Sequence, residues 1–188
     1  MTAQHAIPSP QLAKLTVKDF LLLSESGAFD EYARTELIEG EIWVVNAIHR
    51  RHARAHAVLT GELFAALKTI GSPLDLFANP STELSNISLP EPDIVIAVPE
   101  DTKMLAGPEV RLAVEISDST LDMDLGRKAR LYAKHGVPEY WVVDVEARVI
   151  HQFCAPADDA YSERRSIAFG EPLNAATLPQ LTVDTAAL

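Results

Sequence analysis

Two short apolar runs, each carrying one acid, stand out in the hydrophobic pattern of this 188-residue chain. In residues 112–117 aliphatic side chains alternate with smaller or polar ones, among them Glu115, with the two-residue period of a strand. Residues 92–98 form a second run, with Asp93 at its entry. Both runs are predicted to be central strands covered on both faces. A buried acid there costs several kcal/mol unless it is protonated, paired or bound to a cation, so the two runs indicate a site.

Helices and hairpins are predicted around these strands. Thr16 and Asp19 have the spacing of a capping box, which opens a helix ending near residue 24. Residues 34–45 have the pattern of a hairpin that turns at residues 39 and 40. A stripe of apolar residues predicts a long helix from residue 49 or 52 to residue 70. The other expected segments are a strand pair over 74–84 broken at 79–80, a polar loop over 99–108, and strands over 139–144, 149–154 and 161–168.

A helix is expected between the strands at 112–117 and 139–144. Residues 118–120 offer three caps for it, and Gly136 and Pro138 end it. A strand, a helix and a further strand form a β-α-β unit, so the fold class is α/β (α+β-like), a mixed sheet flanked by helices with an N-terminal helix and hairpin. We expect one domain over residues 15–188 after a flexible tail over 1–14.

Composition places the chain among ordinary globular proteins, with 47% apolar and 23% charged residues. It contains no apolar run of membrane-spanning length and no signal-peptide core, so we expect a cytoplasmic protein without a membrane partner. The net charge of −11 is the wrong sign for gripping nucleic acid over a wide surface. Any activity on nucleic acid would therefore depend on a local basic patch, a metal ion or a partner.

Asp93 and Glu115 are hard oxygen ligands of the kind that Mg²⁺ or Mn²⁺ prefers. If their strands are neighbours, the two carboxylates converge, and the backbone carbonyl of Ile116 completes a metal-ligand set. A metal there would lower the pKa of a bound water and polarise a phosphoryl oxygen. Lys128 lies on the inward face of the following helix, from which its ammonium can reach the strand ends.

These residues carry a resemblance to a known family. Pro92-Asp93, Glu115-Ile116-Ser117, Lys128 and Tyr132, together with residues 136–144, resemble the putative restriction endonuclease family of the PD-(D/E)XK nuclease superfamily. The resemblance covers roughly residues 16–185. It implies a restriction-endonuclease-like fold and a Mg²⁺- or Mn²⁺-dependent endonuclease acting on nucleic acid, with DNA the expected substrate. It also implies a homodimer.

The resemblance also implies roles for single residues. Asp93, Glu115, Lys128 and Glu36 match the catalytic positions, and Asp93, Glu115 and the Ile116 carbonyl match the metal ligands. Ser117 stands where the superfamily motif has its lysine, and Lys128 matches the position to which this family has moved it. The residues expected to line the site are His56, Ser117 and Tyr132.

Less specific interpretations stay open beside this one. Lys128 and Glu115 could form a structural ion pair without chemistry. The fold could serve as a catalytically inactive, dimeric interaction module, or the site could hydrolyse a small phosphoester. His52 and His56 have the spacing of metal ligands on a helix, but core or surface positions are expected for them. Trp43 and Trp141 are expected in the core.

Overall fold

The computed structural model describes residues 11–45 and 49–188. Of the predicted tail, residues 1–10 lie outside the described residues, and residues 11–14 form neither helix nor strand. The helices are α1 (Val17–Glu25), α2 (Arg50–Thr69), α3 (Leu121–Met123) and α4 (Ala129–Lys134). The strands are β1 (Arg34–Ile38), β2 (Glu41–Val45), β3 (Asp75–Ala78), β4 (Thr82–Glu83), β5 (Ile94–Ala97), β6 (Leu105–Ala106), β7 (Val110–Ser117), β8 (Glu139–Asp144), β9 (Val149–Ala157), β10 (Ala160–Ala168), β11 (Leu173–Asn174) and β12 (Thr182–Val183).

The largest sheet in the described residues is mixed and has the strand order β10-β9-β8-β7-β5-β3. β7 and β8 are parallel neighbours, and every other pair in this sheet is antiparallel. The chain passes from β7 to β8 through α3 and α4, which is the predicted β-α-β unit. The predicted fold class is therefore confirmed, and β5 and β7 are adjacent as expected.

Both faces of this sheet are buried against apolar side chains. Helix α2 packs its predicted stripe of leucines on one face, where the alternate β7 residues Leu112, Val114 and Ile116 lie. Helix α4 covers part of the opposite face, which Glu115 and Ser117 share. Because both faces are covered, the acids on β7 and at the start of β5 lie out of bulk water: Asp93 is 1% exposed and Glu115 is 2% exposed.

The N-terminal elements form as predicted. Thr16 accepts a hydrogen bond from the Asp19 backbone N–H, and the Asp19 carboxylate accepts one from the Thr16 N–H, which completes the capping box. The hairpin turns at Glu39 and Gly40, whose φ values of 51° and 79° suit the tight turn between twisted strands. Leu37 packs with Val17, Phe20 and Leu89 in a small separate core. This core holds β1 against the rest of the domain.

Two of the predicted segments differ from the structure. Residues 74–84 contain two strands, but they do not pair with each other: β3 pairs with β5, and β4 pairs with β6 in a separate parallel pair. Asn79 takes a left-handed φ of 49° just before Pro80, so the chain leaves the main sheet there. The expected loop over 99–108 contains β6 and the start of a 3₁₀ turn over Gly107–Glu109.

The predicted single helix from residues 118–120 to residue 135 is also interrupted. Helix α3 runs into a π-helical turn over Asp124–Lys128, and only then does α4 begin. Thr120 does not cap the helix with its side chain, because its Oγ1 donates a hydrogen bond to Asp124 Oδ2 at 2.6 Å. The interruption brings Asp124 and Lys128 inward together, with 2% and 4% of their surfaces exposed. Turns of this kind within helices are frequent at functional sites.

A buried carboxylate at the start of β8 fastens the C-terminal segment to the sheet. Glu139 is 0% exposed and accepts hydrogen bonds from five donors: Trp141 Nε1, Gln152 Nε2, the backbone N–H groups of Ala176 and Thr177, and Thr177 Oγ1. Such a carboxylate is stabilised by charge-assisted hydrogen bonds. No helix in the part of the chain described is long and apolar enough to cross a membrane.

We expect Glu139→Ala to lower the free energy of unfolding by about 3 kcal/mol or more, because buried donors lose their acceptor. Urea denaturation followed by circular dichroism measures the change. Glu139→Gln keeps one acceptor oxygen and is expected to lose less. Equal stability of wild type and Glu139→Ala would contradict a fastening role for this carboxylate.

Candidate active site

A cavity of about 460 Å³ opens where the hairpin, the start of β5, the end of β7 and the π-helical turn meet. Its floor contains the acids that the sequence singled out, and its side is formed by the hairpin strand β2 and by residues 118–123. The polar residues among its lining are Arg34, Glu36, His49, His52, Asp93, Glu115, Asp118, Ser119, Thr120, Asp122, Asp124 and Lys128.

Asp93 is held by donors from three different elements. Arg34 Nη1 on β1 lies 2.9 Å from its Oδ1, and His52 Nε2 on α2 lies 3.2 Å from its Oδ2. The backbone N–H of Ile116 donates to the same Oδ2 at 2.7 Å, which ties β5 to β7 through a side chain. His56 Nε2 donates to the backbone carbonyl of Asp93 at 2.9 Å. Burial alone would raise the pKa of Asp93, but His52, Arg34 and the Ile116 N–H hold it well below its usual value.

Lys128 lies at the centre of a second group of side chains. Its Nζ is 2.9 Å from Glu36 Oε2 and 3.0 Å from Glu115 Oε1, so one ammonium joins the hairpin to the sheet. Tyr132 Oη donates to the same Glu115 oxygen at 3.0 Å. The backbone N–H of Glu91 also donates to Glu36, at 3.2 Å.

Burial and the neighbouring charges shift the pKa values of Glu115 and Lys128. Burial raises the pKa of the Glu115 carboxyl well above its usual value, although Lys128 opposes this. Burial by itself would lower the pKa of Lys128, but Glu115, Glu36 and Asp124 together keep it above its usual value. Lys128 is therefore a fixed cation at neutral pH, and Glu115 is an acid that takes up a proton more readily than usual.

A third buried carboxylate, that of Asp124, lies near Lys128 in addition to those of Glu36 and Glu115. Asp124 Oδ2 accepts hydrogen bonds from the hydroxyls of Ser117 and Thr120, and its Oδ1 lies 4.0 Å from Lys128 Nζ. Burial raises the pKa of Asp124 in spite of the positive charge of Lys128. Ser117 thus supports Asp124, while the ammonium beside Glu115 comes from Lys128.

The buried part of the site carries more negative than positive charge. The carboxylates of Glu36, Asp93, Glu115 and Asp124 face two permanent cations, Arg34 and Lys128. Unbalanced carboxylates in a low-dielectric site either bind protons, as the raised pKa values of Glu115 and Asp124 indicate, or bind a cation. A divalent ion would supply the two missing positive charges.

The donor chemistry fits such an ion. Because Ile116 N–H points to Asp93, the carbonyl of the same strand residue points to that side as well. Asp93, Glu115 and this carbonyl offer oxygen donors, the kind that Mg²⁺ or Mn²⁺ prefers. Within residues 11–45 and 49–188, no three His, Cys, Asp or Glu side chains are grouped as a metal site. A metal on Asp93 would also compete with Arg34 and His52.

The structure brings most of the expected residues together. Around the cavity floor, Lys128 and Tyr132 contact Glu115, Lys128 also contacts Glu36, and Ile116 contacts Asp93. His56 reaches only the backbone of Asp93, and Ser117 reaches only Asp124.

Sequence reasoning missed three residues at this site. Arg34 was treated only as the start of a hairpin, although it alternates with Glu36 and so shares its face of β1. His52 was expected in the core or on the surface, yet it donates to Asp93. Asp124 is not among the expected site residues, although it lies four residues before Lys128 and shares its side of the helix.

Trp43 is a further correction, because it is 39% exposed and lines the cavity instead of lying in the core. Trp141 is fully buried, as expected. Among the described residues, β2 forms a two-stranded sheet with β1, so Trp43 lies outside the main sheet.

Comparison with known proteins identifies the family and a similar fold. The family model Uma2, described as "Putative restriction endonuclease", matches residues 17–186. The crystal structure of a putative nuclease belonging to DUF820 from Anabaena variabilis has a similar fold, with a TM-score of 0.72 and 15% identity. The similarity covers 92% of this chain and 96% of that chain. No curated protein matches the sequence significantly.

We expect Lys128→Met to lower the free energy of unfolding by about 3–5 kcal/mol, because it leaves buried carboxylates without their cation.

Glu115→Gln removes one excess negative charge and is expected to change the free energy of unfolding by less than about 1 kcal/mol at pH 7. Since the pKa of Glu115 is raised in the folded state, wild type loses stability relative to Glu115→Gln as pH rises through that pKa. Urea denaturation over a pH series tests both. If Glu115→Gln lowered the free energy of unfolding more than Lys128→Met does, the excess charge of the buried site would not be negative.

Proposed function

The chain belongs to the Uma2 family of putative restriction endonucleases, and from this premise we propose that it is a Mg²⁺- or Mn²⁺-dependent endonuclease that hydrolyses phosphodiester bonds, with DNA as the expected substrate. The observation that carries the proposal is the ammonium of Lys128, buried at 3.0 Å from Glu115 in the cavity that Asp93 also lines. The fixed cation, and a metal ion held by the two carboxylates, would stabilise the negative charge that develops when a phosphodiester is hydrolysed.

Asp93, Glu115 and the Ile116 carbonyl would hold the metal ion. When bound there, the ion would lower the pKa of a water and polarise a phosphoryl oxygen. Asp93 suits this role because its low pKa keeps it ionised, so that it needs to lose no proton to bind a cation.

Lys128 would orient the attacking water or stabilise charge on the phosphate as a hydrogen-bond donor. Its raised pKa favours these roles over that of a general base, because the free amine is scarce at neutral pH. Glu36 would position Lys128, since its carboxylate holds the ammonium at 2.9 Å from the hairpin side. Tyr132 would fix the orientation of Glu115 through its hydrogen bond at 3.0 Å.

One observation favours a second function, a catalytically inactive nuclease-like module that acts as a dimer. Arg34 and His52 already bond both oxygens of Asp93, and Lys128 already pairs with two acids. Internal partners of this kind stabilise buried carboxylates without any metal. Metal affinity therefore separates the two functions.

We expect the wild-type protein to nick plasmid or cut single-stranded DNA in the presence of Mn²⁺. Asp93→Asn, Glu115→Gln and Lys128→Met are each expected to reduce the rate by about 100-fold or more, the usual effect of removing a group that acts in the transition state. Gel assays at several enzyme concentrations measure the rates. Asp159→Asn and Lys18→Met change exposed charges elsewhere and serve as matched controls. Variants that cut as fast as wild type would place the activity in a contaminant.

We also expect calorimetric titration to show Mn²⁺ binding at one site per chain. Asp93→Asn and Glu115→Gln are expected to weaken it by about tenfold or more, because each removes a charged ligand. Asp159→Asn is the matched control. Failure of the wild-type protein to bind Mn²⁺ at millimolar concentration would favour the inactive module over the nuclease.

A further inference from the structure

We propose that Trp43 stacks on the base of an unpaired nucleotide, so that the substrate of this site is single-stranded or locally unpaired nucleic acid. The inference rests on the proposed nuclease function and adds the class of substrate to it.

Trp43 is placed next to the acidic floor by the hairpin register. It lies directly opposite Glu36 in the β1–β2 pair, and directly opposed residues project their side chains on the same face. Glu36 in turn contacts Lys128. The indole is therefore a neighbour of the proposed reaction centre, within reach of the nucleotide whose phosphate would enter it.

The indole ring is held in place by Arg127. The guanidinium carbon of Arg127 lies 5.1 Å from the ring centroid, in the range of a cation–π contact. Arg127 is itself fixed by Glu39 at 3.2 Å and Glu41 at 2.6 Å. As far as the described residues define the cavity, Trp43 lines it and Arg127 does not. The indole thus has a cationic partner, and it remains 39% exposed as part of the cavity lining.

Other apolar residues line the same cavity: Val44, Leu121 and Met123. A flat, apolar wall above an acidic, cation-binding floor suits a group with a planar face next to a phosphate. A nucleotide has both, and stacking on an aromatic side chain tolerates any base because every base has a π-face.

Burial and charge favour an unpaired strand over a duplex. A phosphate can approach Asp93 and Glu115, which are 1% and 2% exposed, only by entering the cavity. A strand enters a cavity with its base unstacked from its neighbours, as in enzymes that act on single strands or extruded nucleotides. A duplex would also need a broad basic surface, whereas this chain has a net charge of −11.

Intrinsic fluorescence provides a direct test, because Trp43 is exposed at the cavity and the other tryptophan, Trp141, is 0% exposed. The wild-type protein is titrated with oligothymidylate, oligouridylate and a blunt DNA duplex, with Ca²⁺ in place of Mn²⁺. The strands are recovered afterwards to show that they are intact. Because Trp43→Ala and Trp43→Phe lack the reporting indole, their affinities and that of the wild type are compared by the anisotropy of dye-labelled strands, among them an oligothymidylate that carries an abasic position.

We expect single strands to quench the Trp43 fluorescence. Their Kd is expected to be about tenfold lower than that of the duplex, or lower still. Trp43→Ala is expected to raise Kd about tenfold, as loss of one stacked base does, while Trp43→Phe stays within about threefold. The abasic position is expected to weaken binding to wild type but not to weaken binding to Trp43→Ala further. The DNA and RNA strands show which sugar the site accepts.

Three results would overturn the inference: equal affinity for strand and duplex, an unchanged Kd in Trp43→Ala, or additive losses from Trp43→Ala and the abasic position. Tryptophan emission per chain that depends on protein concentration in the absence of nucleic acid would mean that a second copy of the chain covers the indole. That result would also contradict the proposed stacking. Stacking without Mn²⁺-dependent cleavage would refute the nuclease function only. Asp93-dependent cleavage without a Trp43 effect would refute the stacking only.

Discussion

The ammonium of Lys128 is the interaction on which the rest of the site depends. It is buried between Glu36 on the hairpin and Glu115 on the central strand, at about 3 Å from each. A lone buried ammonium or carboxylate would cost several kcal/mol, so each of these side chains is stable there only in the presence of the others. The hairpin, the sheet and the π-helical turn are consequently fixed relative to one another by charge as well as by apolar packing.

The same arrangement has a cost that bears on function. Four buried carboxylates share two permanent cations, and the raised pKa values of Glu115 and Asp124 reflect the excess of negative charge. A core built for stability alone would gain by replacing such groups with apolar ones. A site that binds a divalent cation needs this excess, and Arg34 and His52 then act as internal partners of Asp93 that the cation must displace or share. In the proposed metal site, stability and metal affinity would be set by the same few contacts.

Elements that depend on local pattern were predictable. Alternation identified the strand at residues 112–117, and the pattern of a buried strand identified the one at 139–144. The Glu39-Gly40 turn identified the hairpin, and Thr16 with Asp19 identified the first helix. The pairing of β4 with β6 was not predictable, because a strand of two residues carries no pattern that selects a partner. The π-helical turn was not predictable either. It accompanies the burial of Asp124 against Ser117 and Thr120, and the local pattern does not show these contacts.

The sequence by itself determined the fold class, the family resemblance and the presence of buried acids, because hydrophobic period and residue type are local properties. It also indicated Lys128 as the cation beside Glu115, since an inward-facing lysine next to a buried acid has few other roles. Only the tertiary structure decided that Arg34 and His52 hold Asp93, that Glu36 shares Lys128, and that Trp43 stands exposed at the cavity. These contacts join residues that are distant in the chain, and charge pairing across such distances follows from packing, which no local pattern encodes.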